Sequence, residues 1–117
     1  MSESIRQPSA STALITHPAC LEHETPPGHP ENAARLRAVL DALSGDDFHA
    51  LRRAKAPRAN LEMLGRVHDH EFVRVLLDCI PTTGIAMVDS DTALSPGSRD
   101  AALRAAGANV HAVNLIM

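Results

Sequence analysis

The apolar positions of this chain fall into short segments with strand or helix spacing, separated by loops that contain proline and glycine. Thr12–Thr16 is rich in β-favouring residues and predicts a first strand. Leu51–Ala56 predicts a second strand, which ends before Pro57 because proline cannot donate to the hydrogen-bond ladder of a sheet. The remaining apolar segments have the three- and four-residue spacing of helices. The pattern indicates an α/β fold that is mostly helical.

The first helix is predicted over Glu31–Leu43. Leu36, Leu40 and Leu43 recur at helical spacing, so we expect one buried face. Pro30 is predicted in the first turn, which tolerates proline, and an acidic residue beside it favours the positive end of the helix dipole.

Two further helices follow, each with a predicted N-cap. Asn60 is expected to cap a short helical turn over Leu61–Arg66, and Asp69 is expected to cap a longer helix. The apolar stripe of the longer helix consists of Phe72, Val73, Leu76, Leu77 and Ile80. We predict a loop from Pro81 to Leu94.

The last helix is predicted to have Ser95 as its N-cap and Pro96 at its first position. Its apolar face consists of Leu103, Ala106, Val110, Val113 and Met117. Helices commonly end with glycine, asparagine or basic residues, whereas this sequence ends Asn-Leu-Ile-Met. We therefore expect residues 12–117 to form one domain that is truncated at its C-terminal end. Residues 1–11 are predicted to form a disordered leader.

Composition limits both the core and the partners. Of the 117 residues, 44% are hydrophobic, but much of this is alanine and only Phe48 and Phe72 are aromatic, so the apolar area available for burial is small. A net charge of −3 provides no basic surface for nucleic acid, and no apolar run reaches the length of a membrane span. The N-terminal residues lack the apolar region of a secretory signal, and Cys20 and Cys79 are isolated. These features predict a cytoplasmic protein.

The loop His17–His29 contains three histidines, one cysteine and three prolines. Imidazole and thiolate groups suit zinc, so His17, Cys20 and His23 are candidate ligands of a structural zinc, with His29 as a further one. No second cluster supplies a matching pair of ligands. The sequence therefore favours the alternative, in which these histidines hydrogen-bond the loop backbone and line the rim of a pocket.

Three other polar clusters are possible sites. In His68–His70 the histidines flank Asp69, which we interpret as a helix cap rather than a metal-site residue. Asp47–His49 has the Asp-x-His order of metal ligands, but it follows a polar turn rather than an apolar strand, so we interpret it as a solvated turn. Asp89–Thr92 is acidic and could bind a cation, cap a helix or accept hydrogen bonds from the backbone amides of a substrate.

Several short motifs occur in a defined order along nearly the whole chain. They are His-Pro-Ala-Cys-Leu-Glu-His from His17, Gly-His-Pro-Glu from Gly28 with Arg35-Leu36, Val67-His68, Val-Asp-Ser-Asp-Thr from Val88, and the alanine-rich helix around Gly107. In this order the chain resembles the N-terminal segment of the histone deacetylase and acetylpolyamine amidohydrolase family, of the class II or bacterial type.

The resemblance implies an arginase-like fold, in which a parallel sheet is flanked by helices. It also implies a zinc-dependent deacetylase that hydrolyses N-acetyl groups of acetyl-lysine or acetylpolyamine. By resemblance, Asp91 lies on the rim of the substrate channel and holds substrate backbone amides, while His29 and Arg35 lie near the inner end of the channel.

The family's tandem histidine pair, strand-ending Asp-x-His and late tyrosine have no counterpart in this sequence. We therefore expect no catalytic residue and no cofactor within these 117 residues, no activity from this chain alone, and the remainder of a catalytic domain as its partner. A small non-catalytic protein that binds a partner or self-associates through its last helix is the alternative, and a zinc-binding loop module is a third hypothesis.

Overall fold

The computed structural model describes residues 11–117, so the predicted disordered leader lies outside the described residues except for Ser11. The elements are β1 (Ala13–Thr16), a 3-10 turn (Pro18–Leu21), α1 (Ala33–Leu43), a 3-10 turn (Asp46–Phe48), β2 (Arg52–Lys55), α2 (Leu61–Gly65), α3 (His70–Asp78), β3 (Ala86–Met87), β4 (Ala93–Leu94) and α4 (Ser98–Ile116). This is a mixed α/β arrangement, as the sequence indicated.

The two predicted strands, β1 and β2, pair with each other in parallel. Ala13 lies opposite Arg52 and Thr16 lies opposite Lys55. The ladder extends beyond the strands, because the Ala56 N–H donates to the Thr16 carbonyl at 2.8 Å. Parallel pairing requires a crossover connection, and α1 lies within the connection between the two strands.

Helix α1 begins two residues later than predicted. Asn32 is its N-cap, because the Asn32 Oδ1 accepts the Arg35 N–H at 3.2 Å, and the expectation that Pro30 and Glu31 lie in the first turn is therefore wrong. Its apolar face is also less buried than expected. Leu36, Leu40 and Leu43 are only half-buried, and no residue of α1 is fully buried.

The caps predicted for the next two helices are confirmed. The Asn60 Oδ1 accepts the Met63 N–H at 2.8 Å at the start of α2, and the Asp69 Oδ1 accepts the Glu71 N–H at 3.1 Å at the start of α3. Of the apolar stripe of α3, Val73 is buried whereas Phe72 is 53% exposed.

The prediction that Pro81–Leu94 is a loop is wrong in part, because two short strands lie within this segment. Ala86 pairs with Leu94 and Met87 pairs with Ala93, which makes β3 and β4 a short antiparallel hairpin. The Val88 N–H closes the hairpin by donating to the Thr92 carbonyl at 2.7 Å. The acidic residues of the segment lie in the turn between the two strands.

Helix α4 begins at Ser98, and the prediction that Ser95 is its N-cap is wrong, because Gly97 occupies that position. Ser95 is completely buried instead, with its N–H donating to the Ser98 Oγ at 2.7 Å. Further along α4, Leu103 is buried, and its carbonyl accepts the Ala59 N–H at 2.9 Å. Helix α4 thus packs its middle against the segment that follows β2.

The buried apolar core is small, as the alanine-rich composition predicted. Its members among residues 11–117 are Ala56, Ala59, Val73, Ala93, Leu94, Ala101 and Leu103. None of the helices in this described range is long and apolar enough to cross a membrane.

Candidate functional site

The end of the loop that follows β1 is shaped by a tight turn. Pro27 and Gly28 occupy its two central positions, and the His29 N–H donates to the Pro26 carbonyl at 3.1 Å. Gly28 has a φ of 84°, which a type II turn requires at its third residue and which glycine adopts without strain. The Pro27-Gly28 turn therefore fixes the direction of the backbone at His29.

His29 connects this loop to the hairpin turn. Its Nδ1 accepts the Glu31 N–H at 3.0 Å, and its Nε2 lies 2.8 Å from the carbonyl oxygen of Asp91. Because an N–H donates to Nδ1, the hydrogen-bond pattern assigns the ring proton to Nε2, which then donates to Asp91. The neutral imidazole satisfies both partners, which lie in different elements of the chain.

The acidic turn between β3 and β4 uses its two aspartates differently. The Asp89 Oδ1 accepts the Asp91 N–H at 2.8 Å, and this hydrogen bond, followed by the one from the Thr92 side chain, lowers the pKa of Asp89 below its usual value. Asp91 is exposed, and among the described residues its carboxylate forms no hydrogen bond or ion pair. Asp89 therefore stabilises the turn, whereas the Asp91 carboxylate is available to a ligand.

A cavity of about 680 Å³ lies between the loop, the hairpin and α4. Its lining residues are Ile15, Thr16, Cys20, His23, Thr25, His29, Glu31, Leu36, Ala56, Asp91, Thr92, Ala93, Leu94, Ser98, Ala101, Ala102, Ala105 and Ala108. Most of the wall is apolar, and His29 and Asp91 are among its polar groups. This combination of an apolar wall with a few polar groups is typical of a site for a small organic group.

Arg35, the third residue expected near the channel, does not line this cavity. Its guanidinium forms an exposed ion pair with Glu31 at 3.5 Å, one helical turn away. The structure thus brings His29 and Asp91 together and leaves Arg35 on the surface of α1.

A buried serine pair anchors the other side of the loop. The Ser95 Oγ accepts the Glu24 N–H at 2.9 Å, and the His23 Nδ1 lies 2.6 Å from the Ser98 Oγ. Sequence reasoning missed both serines as site residues, since it treated Ser95 only as a helix cap. These contacts join positions more than 70 residues apart, so no local pattern signals them.

The candidate zinc ligands have separate contacts among the described residues. The His17 Nδ1 accepts the Ala19 N–H at 3.0 Å, Cys20 is a free, half-buried thiol, and His23 contacts Ser98. Within residues 11–117, no three histidine, cysteine, aspartate or glutamate side chains are grouped so that they could hold a metal ion. Histidine contact with the loop backbone, the alternative that the sequence favoured, is seen at His17 and His29.

The remaining polar clusters have structural roles. In the cluster His68–His70, Asp69 caps α3, and the ring of His68 lies 5.9 Å from that of Phe72. Asp47, Phe48 and His49 are all exposed, with Phe48 at 40%, which agrees with the interpretation as a solvated turn.

A charged network fastens the start of α4 to the chain beyond β2. The Arg58 Nε donates to the Asp100 Oδ1 at 2.6 Å, and this bond lowers the pKa of Asp100. Arg104 donates from Nη1 to the Ala56 carbonyl at 2.9 Å. Partial burial of the His17 ring, and then the positive charge of Arg104, lower the pKa of that histidine.

Comparison with known proteins identifies a family whose members are similar to this chain. The family model of the histone deacetylase domain matches residues 29–117, a range that includes both His29 and Asp91. A probable deacetylase from Archaeoglobus fulgidus is 33% identical over 109 residues, which are 91% of this chain and 30% of that protein. An uncharacterized protein from Synechocystis sp. is 32% identical over 109 residues, covering 90% of this chain and 36% of its own length. The chain therefore spans about a third of the length of these two relatives.

Proposed function

The chain belongs to the histone deacetylase family, and from that premise we propose that it supplies the substrate-binding rim of a deacetylase that hydrolyses N-acetyl groups of acetyl-lysine or acetylpolyamine. One observation carries this proposal. The loop of His29 and the turn of Asp91 meet at a largely apolar cavity, within the range that the family model matches. The proposal includes an arginase-like fold, in which β1 and β2 are two strands of a larger parallel sheet, and a cytoplasmic location.

In this proposal Asp91 binds the substrate. Its exposed carboxylate can accept hydrogen bonds from substrate backbone amides, and such charge-assisted bonds are shorter and stronger than neutral ones. Two adjacent amides can be held at once, because a carboxylate has two oxygen atoms. Binding at this point would orient the acyl chain toward the cavity.

The proposed zinc dependence requires ligands from outside the described residues. His17 and His23 are hydrogen-bonded within the fold, and residues 11–117 contain no group that fits a metal ion. We therefore assign no catalytic step to residues of this chain and propose that the remainder of a deacetylase domain provides the zinc ligands. It follows that the 117-residue polypeptide alone is expected to be inactive.

The test uses the polypeptide encoded by the complete reading frame that contains this chain. It is assayed for deacetylation of an acetyl-lysine peptide and of an acetylated polyamine, before and after chelation and re-addition of zinc. We expect turnover that depends on zinc. Absence of turnover, or zinc-dependent turnover by residues 1–117 alone, would contradict the proposal.

The role of Asp91 has its own test in the same protein. Asp91→Ala is expected to raise KM at least tenfold, because one charge-assisted hydrogen bond contributes about 1.5–3 kcal/mol and a tenfold change corresponds to about 1.4 kcal/mol. Asp47→Ala is the matched control, since it removes an exposed aspartate outside the cavity lining. Equal KM values for the two variants would show that Asp91 does not bind substrate.

The alternative is a small non-catalytic protein that self-associates. The observation in its favour is the exposure of Val113 and Met117, which are 54% and 94% exposed and continue the apolar face of α4. Its test is a measurement of the oligomeric state of the 117-residue polypeptide as its concentration rises.

A further inference from the structure

We propose that His29 is a positioning residue for substrate binding, and that it acts by holding the backbone of Asp91. The inference rests on the proposed function, because it assigns His29 a role only through the substrate contact of Asp91. The observation that carries it is the 2.8 Å contact between the His29 Nε2 and the Asp91 carbonyl oxygen, which joins residues 62 positions apart.

The His29 ring is fixed on its own side before it reaches the hairpin. Its Nδ1 accepts the Glu31 N–H at 3.0 Å, and its own carbonyl accepts from the Asn32 Nδ2 at 2.8 Å. The Thr25 Oγ1 donates to the Glu31 carbonyl at 2.6 Å, which ties the same segment back to the loop. With the Pro27-Gly28 turn before it, His29 is held at backbone and ring, so its remaining donor points in one direction.

The hairpin that carries the acidic turn is short, and within it the turn is held by the Val88 N–H on the Thr92 carbonyl and by the Asp89 carboxylate on the Asp91 N–H. β3 and β4 are two residues long each, and two pairs of residues are too few for a hairpin to be stable independently. The contact from His29 restrains the carbonyl of Asp91 itself and hence the peptide plane next to its Cα. That restraint limits the orientation of the Asp91 backbone from which the side chain extends, and the Asp91 carboxylate has no intramolecular partner among the described residues.

Two substitutions separate the two ring nitrogens. In His29→Asn the side-chain oxygen can still accept the Glu31 N–H, but no atom reaches Asp91. In His29→Gln the longer side chain can place its amide nitrogen near the position of Nε2 and donate to Asp91, while the acceptor at the Nδ1 position is lost. His49→Asn is the control, because His49 lies on an exposed turn.

The first measurement is amide hydrogen exchange on the 117-residue polypeptide, which requires no enzymatic activity. We expect exchange at Asp91 and Thr92 to be faster in His29→Asn than in His29→Gln, with His49→Asn equal to the wild type. Equal exchange in all variants would overturn the inference, whatever the deacetylase assay shows. Circular dichroism of each variant checks that the fold is retained.

The second measurement is the deacetylase assay on the product of the complete reading frame. We expect His29→Asn to raise KM for the acetyl-lysine peptide three- to tenfold with a smaller change in kcat, and His29→Gln to restore most of the loss. When combined with Asp91→Ala, His29→Asn should add little, because His29 acts through Asp91.

Additive effects in the double variant, or equal losses in the Asn and Gln variants, would overturn the positioning role. Failure of the proposed function has a different signature. If Asp91→Ala leaves KM unchanged, the substrate role of Asp91 is wrong and the inference falls with it, although the exchange measurement still shows the contact. If His29→Asn alone leaves KM unchanged, the proposed function stands and only the inference is overturned.

Discussion

At the scale of single residues, His17 has a pKa that couples protonation to folding. Its half-buried ring accepts the Ala19 N–H at Nδ1, and partial burial together with Arg104 lowers its pKa from the ordinary value of 6.5. In the unfolded chain the pKa of the same residue has that ordinary value. Near and below pH 6.5 the unfolded state therefore binds more protons than the folded state. The free energy of unfolding decreases as the pH falls through this value.

We expect His17→Asn to reduce this pH dependence. The asparagine side-chain oxygen can accept the Ala19 N–H as Nδ1 does, but it does not titrate. Between about pH 7.5 and 5.5, the fall in Tm should be smaller for His17→Asn than for the wild type, as measured by circular dichroism melts. The Tm of His49→Asn, a variant that removes an exposed histidine, should fall by as much as that of the wild type. An unchanged pH dependence in His17→Asn would contradict the assigned origin of the effect.

At the scale of elements, the sequence predicted best those helices whose start depends on local contacts. Asn60 and Asp69 each cap a helix by accepting an N–H two or three residues further along, so the determining contact lies within a short stretch of sequence. The predicted start of α4 was wrong because the Ser95 side chain accepts a hydrogen bond from the backbone of Glu24, 71 residues away. Such a tertiary contact overrides the local preference of serine for the N-cap position.

The hairpin and the candidate site show the same division. β3 and β4 are two residues long each, too short for an alternating pattern to be recognised. Asp91 and His29 were each identified as candidate site residues by resemblance, but the hydrogen bond between them depends on how the hairpin packs against the loop. The residues of the site could thus be predicted from the sequence, whereas their contact could not.

Packing of α4 against the segment after β2 depends on Gly107. A Cβ at this position would collide with the carbonyl oxygen of Pro57, and it would lie 3.0 Å from the backbone nitrogen of Ala59. Both are backbone atoms, so neither can rotate away as the end of a flexible side chain would. The absence of a side chain at Gly107 is what permits this close approach.

Gly107→Ala is therefore expected to destabilise the fold, although alanine favours a helix over glycine by about 1 kcal/mol. Overpacking typically costs about 1–3 kcal/mol, and here the rigid backbone puts it at the upper end, which leaves a net loss of about 2 kcal/mol. Urea unfolding measures this difference. Asn109→Ala, on an exposed position of the same helix, should change stability by less than about 0.5 kcal/mol. A Gly107→Ala variant as stable as the wild type would contradict the described packing.

At the scale of the whole molecule, several large apolar side chains of residues 11–117 remain exposed. Phe72 is 53% exposed and Val113 is 54% exposed. The remainder of a deacetylase domain or a second copy of the chain would each reduce this exposure.

The apolar face of α4 provides a test of what this exposure does to the isolated polypeptide. Leu103 is buried at one end of the face, while Val113 and Met117 are exposed at the other. Burial of apolar surface is worth about 25 cal/mol per Å², so an uncovered face of this kind favours association with a second copy. We expect the 117-residue polypeptide to self-associate as its concentration rises, as measured by sedimentation velocity.

Val113→Lys should weaken this association at least tenfold, because burying an ammonium group in an apolar contact is costly unless the charge is paired. Ala42→Lys adds the same charge to an exposed position of α1 and should leave the association unchanged. If both variants associate like the wild type, the contact lies elsewhere, and the exposed face of α4 is not the self-association surface. If Val113→Lys alone becomes monomeric and keeps its melting temperature, α4 binds a second copy without being needed for folding. In that case the same face would be available, within a longer deacetylase chain, for the remainder of the domain.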